Sequence, residues 1–203
     1  ADLEICPLRG WDPQKAWHQA SRPWILTSPN LPTIDSVFAY YGTVLFEGTN
    51  LSEGRGTGLP FQLIGAPYIA NSERLVQHLK STRGPLLEGV VLRPAEFIPT
   101  SSKWAGELCR GFQIYITEPE KIRALELSVA VISAVKDMFP QGFEFRSPPY
   151  EYEFEKKPID LILGVHNIEK YIDRYNETDS VWSNGIEAYK QRASQVILYD
   201  RSF

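Results

Sequence analysis

The stretch from Ile122 to Phe139 constrains the fold more than any other part of the chain. Ile122, Leu125, Val129, Ile132, Val135 and Phe139 recur at spacings of three or four, which places them on one face of an α-helix. A helix is expected over residues 120–139 with that face buried. Thr117 and Glu120 stand in the T-x-x-E pattern of a capping box, Pro119 is tolerated in a first turn, and Pro140 and Gly142 end the run. Such a helix folds only against other apolar elements.

Those elements are legible on both sides of it. A helix is expected over Glu73–Lys80, capped by Asn71 or Ser72, with Leu75, Val76 and Leu79 inward. Another starts near Thr33 and is expected to bury Ile34, Val37 and Phe38. Two more are expected around Ile168–Tyr175 and Ile186–Ala193. Gly111–Thr117 alternates apolar and polar residues like a half-buried strand, and Val90–Leu92 and Val196–Tyr199 look like more deeply buried strands. Val44–Phe46 also suggests a strand, and Ala1–Ile5 reads like the start of one. Helices and strands mix without strict alternation, so the expected class is α+β, with helices packed on a mixed or mostly antiparallel sheet.

With 203 residues, 43% of them hydrophobic and 23% charged, the chain can bury a sizeable core without disulfide staples. One domain, or one domain with a small appendage, is the natural count. Lys and Arg are scattered and the formal net charge is −4, which argues against a nucleic-acid partner. No apolar run approaches the roughly 20 residues of a membrane span, and the first residues do not resemble a signal peptide. Cys6 and Cys109 are read as two buried thiols in preference to one disulfide.

The chemistry concentrates in Leu45-Phe46-Glu47-Gly48-Thr49-Asn50-Leu51-Ser52-Glu53-Gly54-Arg55-Gly56-Thr57-Gly58, a polar, glycine-rich segment following an apolar one. It is not a phosphate loop, because Arg55-Gly56 stands where Lys-Ser or Lys-Thr is required, and no G-x-G-x-x-G is present. Asn, Glu, Arg and Thr side chains suit sugar hydroxyls and an N-acetyl group. Glu47 and Glu53 could supply a carboxylate of the kind glycosidases use. The alternative is that both only cap nearby backbone and pair with Arg55.

His18, His78 and His166 lie far apart and form no metal pattern, so no metal or cofactor is called for. No G-x-S-x-G elbow is present. The run Tyr150-Glu151-Tyr152-Glu153-Phe154-Glu155 is expected to be an edge strand with one buried face, or else an aromatic sugar platform.

The runs Ser28-Pro29-Asn30-Leu31-Pro32-Thr33, Glu47 through Thr57, Pro60-Phe61 and Gly65-Ala66-Pro67 resemble the NamZ-type exo-β-N-acetylmuramidases in order, spacing and letters. Phe97-Ile98-Pro99-Thr100, Gly106 through Ile114 and Pro158-Ile159-Asp160-Leu161 extend the likeness. The resemblance implies that residues 1–203 are the auxiliary C-terminal domain of a two-domain glycoside hydrolase. Such enzymes release N-acetylmuramic acid from non-reducing ends of peptidoglycan fragments, in a cleft against an N-terminal Rossmann-like domain.

The principal catalytic acid is then expected in that N-terminal domain, outside this chain, and the segment alone is expected to be inactive. Peptidoglycan fragments or muropeptides and the protein's own N-terminal domain are the implied partners, and the implied location is periplasmic or extracellular. Glu47, Thr49, Asn50, Glu53, Arg55 and Thr57 are the candidate substrate-facing residues. Arg55 is suited to the lactyl carboxylate of muramic acid, and Asn30 is a weaker candidate that a turn explains equally well. Trp104 stands where a histidine is expected in family sequences. A non-catalytic muropeptide-binding module and a purely structural domain are the competing readings.

Overall fold

A computed structural model describes residues 2–17, 23–172 and 179–199. The chain separates into two compact units, one formed by Ala1–Ile25 with Asp179–Phe203 and the other by Leu26–Thr178.

The larger unit is built around the helix that the periodicity announces. It spans Ala124–Met138 (α3 in chain order), and every residue from Leu127 to Val135 is buried. The expected single apolar face is therefore too narrow, because Ala130, Val131 and Ala134 are buried as well. A helix apolar all round is enclosed by its neighbours. The expected capping box does not form. Pro119–Lys121 make a separate 3₁₀ turn, and α3 starts after Arg123 with no side-chain cap.

The helix α1 (Ile34–Thr43) carries a true capping box, with Thr33 and Ser36 bonded reciprocally. Its fully buried residues are Ser36, Ala39, Gly42 and Thr43, and the expected Ile34, Val37 and Phe38 are only half-buried. Small residues let the helix approach α3 closely: a Cβ on Gly42 would stand 1.8 Å from the carbonyl oxygen of Ala124. In α2 (Ser72–Arg83) the cap is Asn71, whose side chain accepts from the Arg74 amide at 2.7 Å. Leu75, Val76 and Leu79 face inward as the sequence predicts.

The sheet has three strands, β1 (Leu63–Ala66), β2 (Val90–Phe97) and β3 (Cys109–Ile116), in the order β1-β3-β2. Both pairings are antiparallel, with Leu63 opposite Gln113 and Val90 opposite Ile116. Strand β2 is an edge, which accommodates Pro94 without loss of a ladder donor. The class is α+β, as expected. Beyond the sheet follow the short helices α4 (Pro158–Leu163) and α5 (Glu169–Ile172). The end of the helix expected over Ile168–Tyr175 lies outside the described residues.

Four expected strands are absent from the described residues. Val44–Gly48 form a 3₁₀ helix continuing from α1, because a short apolar run carries no period of its own. Tyr150–Glu155 is a tight turn closed by mutual backbone bonds between Tyr150 and Glu153, with Tyr152 94% and Phe154 73% exposed. Residues 2–5 are irregular, as are Ile197–Tyr199 after the turn that ends α6 (Asp179–Ala193) in the smaller unit. Within that unit the Tyr199 hydroxyl accepts from the Leu8 amide at 2.6 Å, and Trp17 and Trp24 meet edge to face. Cys6 and Cys109 are both free thiols. Cys109 is buried as expected, but Cys6 is exposed, in a stretch of irregular chain.

Candidate active-site wall

The glycine-rich segment is ordered by three neighbours. Backbone bonds from Asn50 N to Glu144 O and from Arg146 N to Gly48 O join it to residues 144–146. Reciprocal bonds between Ser52 and Gly65 join it to β1. The loop between β2 and β3 closes the third side, with the Thr100 amide and hydroxyl both donating to Gly56 O at 2.8 Å.

Glycine is required where these segments meet. Gly54 and Gly56 have φ of +76° and +78°, and a Cβ at Gly56 would lie 2.5 Å from the Ser101 nitrogen.

Glu53 sits at the centre, 2% exposed. Its Oε1 lies 3.1 Å from Arg55 Nε, and its Oε2 lies 2.6 Å from Lys103 Nζ. Lys103 also donates to the carbonyl oxygens of Phe46 (2.7 Å), Thr49 (3.1 Å) and Leu51 (2.5 Å). An ammonium has three hydrogens, so four oxygens share them and the Glu53 contact is a close ion pair. Burial holds the Lys103 ammonium below its ordinary pKa against the opposing pull of Glu53.

Arg55 spans outward from this buried pair. Its Nη2 donates to Glu47 Oε1, and its guanidinium lies over the Phe61 ring, 4.9 Å from the centroid. Phe61 is braced edge-on by Tyr40 of α1 at 4.9 Å. Burial disfavours the Arg55 charge, but the hydrogen bond and charge of Glu47, with Glu53, outweigh it and raise the pKa. The second oxygen of Glu47 accepts from the Tyr150 hydroxyl at 2.7 Å. Burial first, and then this bond, push the Tyr150 phenol above its usual range. Side-chain exposure is 30% for Arg55 and 15% for Glu47. The network is therefore a buried ion pair with a cationic and an anionic group at its open end.

Over residues 38–199 the sequence matches the family described as "Exo-beta-N-acetylmuramidase NamZ, C-terminal". The chain belongs to the NamZ C-terminal family. A peptidoglycan beta-N-acetylmuramidase NamZ from Bacillus subtilis is 44% identical over 147 residues, covering 72% of this chain and 34% of that protein. The chain thus spans about a third of the relative it matches. Two crystal structures of DUF1343 family proteins from Bacteroides fragilis share the fold. One, 23% identical, has a TM-score of 0.76 over 94% of this chain and 49% of its own; the other, 21% identical, has 0.57 over 86% and 44%.

Against this NamZ framework, Glu47, Glu53 and Arg55 come together in one cluster. Thr49 is buried, its hydroxyl donating to Phe46 O, and Thr57 donates to Gly54 O at 2.6 Å. The Asn50 side chain donates to Gly142 O at 2.7 Å and accepts from the Tyr68 hydroxyl and the Glu144 amide. Asn30 lies in the turn closed by the Leu31 amide and Ser28 O. Trp104 donates its indole N–H to Asn50 O at 2.5 Å and meets Tyr68 edge-on. His78 lies on α2 and His166 is exposed after α4, while His18 lies outside the described residues. Lys103 is not a candidate in the sequence, and Tyr150 stands there only as the first residue of the expected edge strand or sugar platform, not as a partner of Glu47. Their partners lie 50 to 57 and 103 residues away, and no local pattern signals such pairs.

Proposed function

We propose that this segment forms one wall of the substrate cleft of a bacterial peptidoglycan glycosidase. The whole protein then releases N-acetylmuramic acid from the non-reducing ends of peptidoglycan fragments, outside the cytoplasmic membrane, where that polymer lies. The observation that carries this reading is family membership, joined to a network that ends in a partly exposed arginine.

Muramic acid differs from glucosamine by a lactyl ether bearing a carboxylate. Arg55 offers a planar donor fork to such an anion. Glu47 and Glu53 fix its Nη2 and Nε edges, and Phe61 supports one face of the plane. A guanidinium held in this way loses less freedom on binding than a mobile side chain. Glu47, with one oxygen toward Tyr150, is placed to accept from a sugar hydroxyl or amide.

Glu53 sits behind Arg55 and contributes through it, since its oxygens face Arg55 and Lys103. Thr49, Asn50 and Thr57 shape the segment that presents both groups. General acid catalysis needs a carboxyl that reaches the glycosidic oxygen, and in this reading that group comes from the remainder of the protein, as does the opposite wall of the cleft.

The test compares the isolated segment with the full-length protein on a chromogenic β-N-acetylmuramide. Release by the full-length protein alone supports this reading. Release by the segment alone would place the acid within residues 1–203. Binding without turnover by the full-length protein would make it a muropeptide-binding module.

A further inference from the structure

We propose that Lys103 is a positioning residue for Arg55, acting through Glu53 as the counter-charge that fixes where the guanidinium points. This rests on the reading of Arg55 given above.

The geometry is a relay. Lys103 Nζ lies 2.6 Å from one oxygen of Glu53, and the other oxygen lies 3.1 Å from Arg55 Nε. Glu53 is buried, so its orientation is set by these two cations. Without Lys103 the carboxylate has a single cationic partner, and Arg55 is drawn inward to it at the expense of Glu47. The charges also balance: Glu47 and Glu53 oppose Arg55 and Lys103.

The loop that carries Lys103 is built to deliver it. Ser102 and Trp104, the residues on either side, both adopt left-handed backbone, at φ of 69° and 59°. Each is costly for a residue other than glycine, and such conformations persist where surrounding contacts over-determine them. Here the contacts are the three carbonyl oxygens on Lys103 and the Trp104 indole bond to Asn50 O. Both side chains are thereby turned into the 46–53 segment. A lysine serving only as a fastener would be satisfied by the three carbonyls; the contact with Glu53 gives it a second role.

The test is a double-mutant cycle in the full-length protein, measured as kcat and KM on the β-N-acetylmuramide and on the matching β-N-acetylglucosaminide, which lacks the carboxylate. K103M leaves Glu53 buried beside one cation and can compromise folding. K103M/E53Q, which removes both charges at nearly constant volume, keeps the test open. Its thermal melt confirms that it folds.

The expected result is that R55A and K103M/E53Q each raise KM for the muramide by about tenfold or more, with a smaller change in kcat. The triple variant should be no worse than R55A, since coupled residues are not additive. K103M/E53Q with wild-type KM, beside an R55A that raises it, would overturn the role of Lys103. So would full additivity in the triple variant. An R55A enzyme with unchanged preference for the muramide would instead overturn the assignment of Arg55.

Discussion

Lys103 Nζ and Glu53 Oε2 stand 2.6 Å apart, joining the loop between β2 and β3 to the glycine-rich segment. The side chains are 16% and 2% exposed. Breaking a buried pair by removing one partner strands the other charge, at a cost of roughly 3–5 kcal/mol. K103M is expected to lose stability on that scale in urea denaturation. K103M/E53Q should recover much of it, because no charge is left unpaired. Equal losses in the two variants would mean that the lysine stabilises through its carbonyl contacts alone.

Asn50 makes a second, neutral junction. Its amide reaches Gly142 O, the Tyr68 hydroxyl and the Glu144 amide, so Asn50→Ala should cost about 1–3 kcal/mol by leaving those groups unmatched. Asn50→Asp should cost more, since a carboxylate would face the Gly142 carbonyl where an N–H now donates. Denaturation midpoints of the two variants, compared at neutral pH, check the order.

These two junctions show what the sequence could and could not reveal. Helix α2 was legible, since Asn71 caps it and Leu75, Val76 and Leu79 repeat at helical spacing. The run Val44–Phe46 is apolar whether it forms a strand or a 3₁₀ turn, and only its continuation from α1 decides. Strand β1, four residues including Gly65, carries too little pattern to be noticed. The motif from Glu47 to Thr57 exposed Arg55 with its two glutamates, because all three lie within nine residues. Lys103 and Tyr150 reach the same cluster only through tertiary folding.

Gly56 should tolerate no side chain. Its φ is +78°, and a Cβ would press on Ser101 backbone atoms at 2.5 and 2.6 Å. Gly56→Ala should destabilise by more than about 1 kcal/mol, beyond the gain expected where alanine is compatible. Because Gly56 O also anchors Thr100, the same substitution should raise KM for the muramide. Thermal melts and kinetics on one sample test both statements.

The two cysteines should differ sharply. Burial, with the charge of Glu107 adding, pushes the Cys109 thiol up to about 11, so at pH 8 only about one molecule in a thousand carries the thiolate. Cys6 is exposed and should react with a disulfide reagent at once, while Cys109 reacts only after unfolding. The sign for stability follows from a folded-state pKa above the unfolded one. The contribution of Cys109 is complete below about pH 9 and is lost as pH rises through 11. Two fast-reacting thiols in native buffer would contradict the buried position of β3.

The most direct measurement is the ratio of kcat/KM on a β-N-acetylmuramide to that on the matching β-N-acetylglucosaminide, for the full-length protein and its Arg55→Ala variant. If Arg55 binds the lactyl carboxylate, the ratio should fall by about tenfold to a hundredfold, the scale of a lost charge-assisted hydrogen bond, while the glucosaminide rate changes little. An unchanged ratio would contradict the account, because the carboxylate would then be recognised elsewhere and Arg55 would be a structural member of its network.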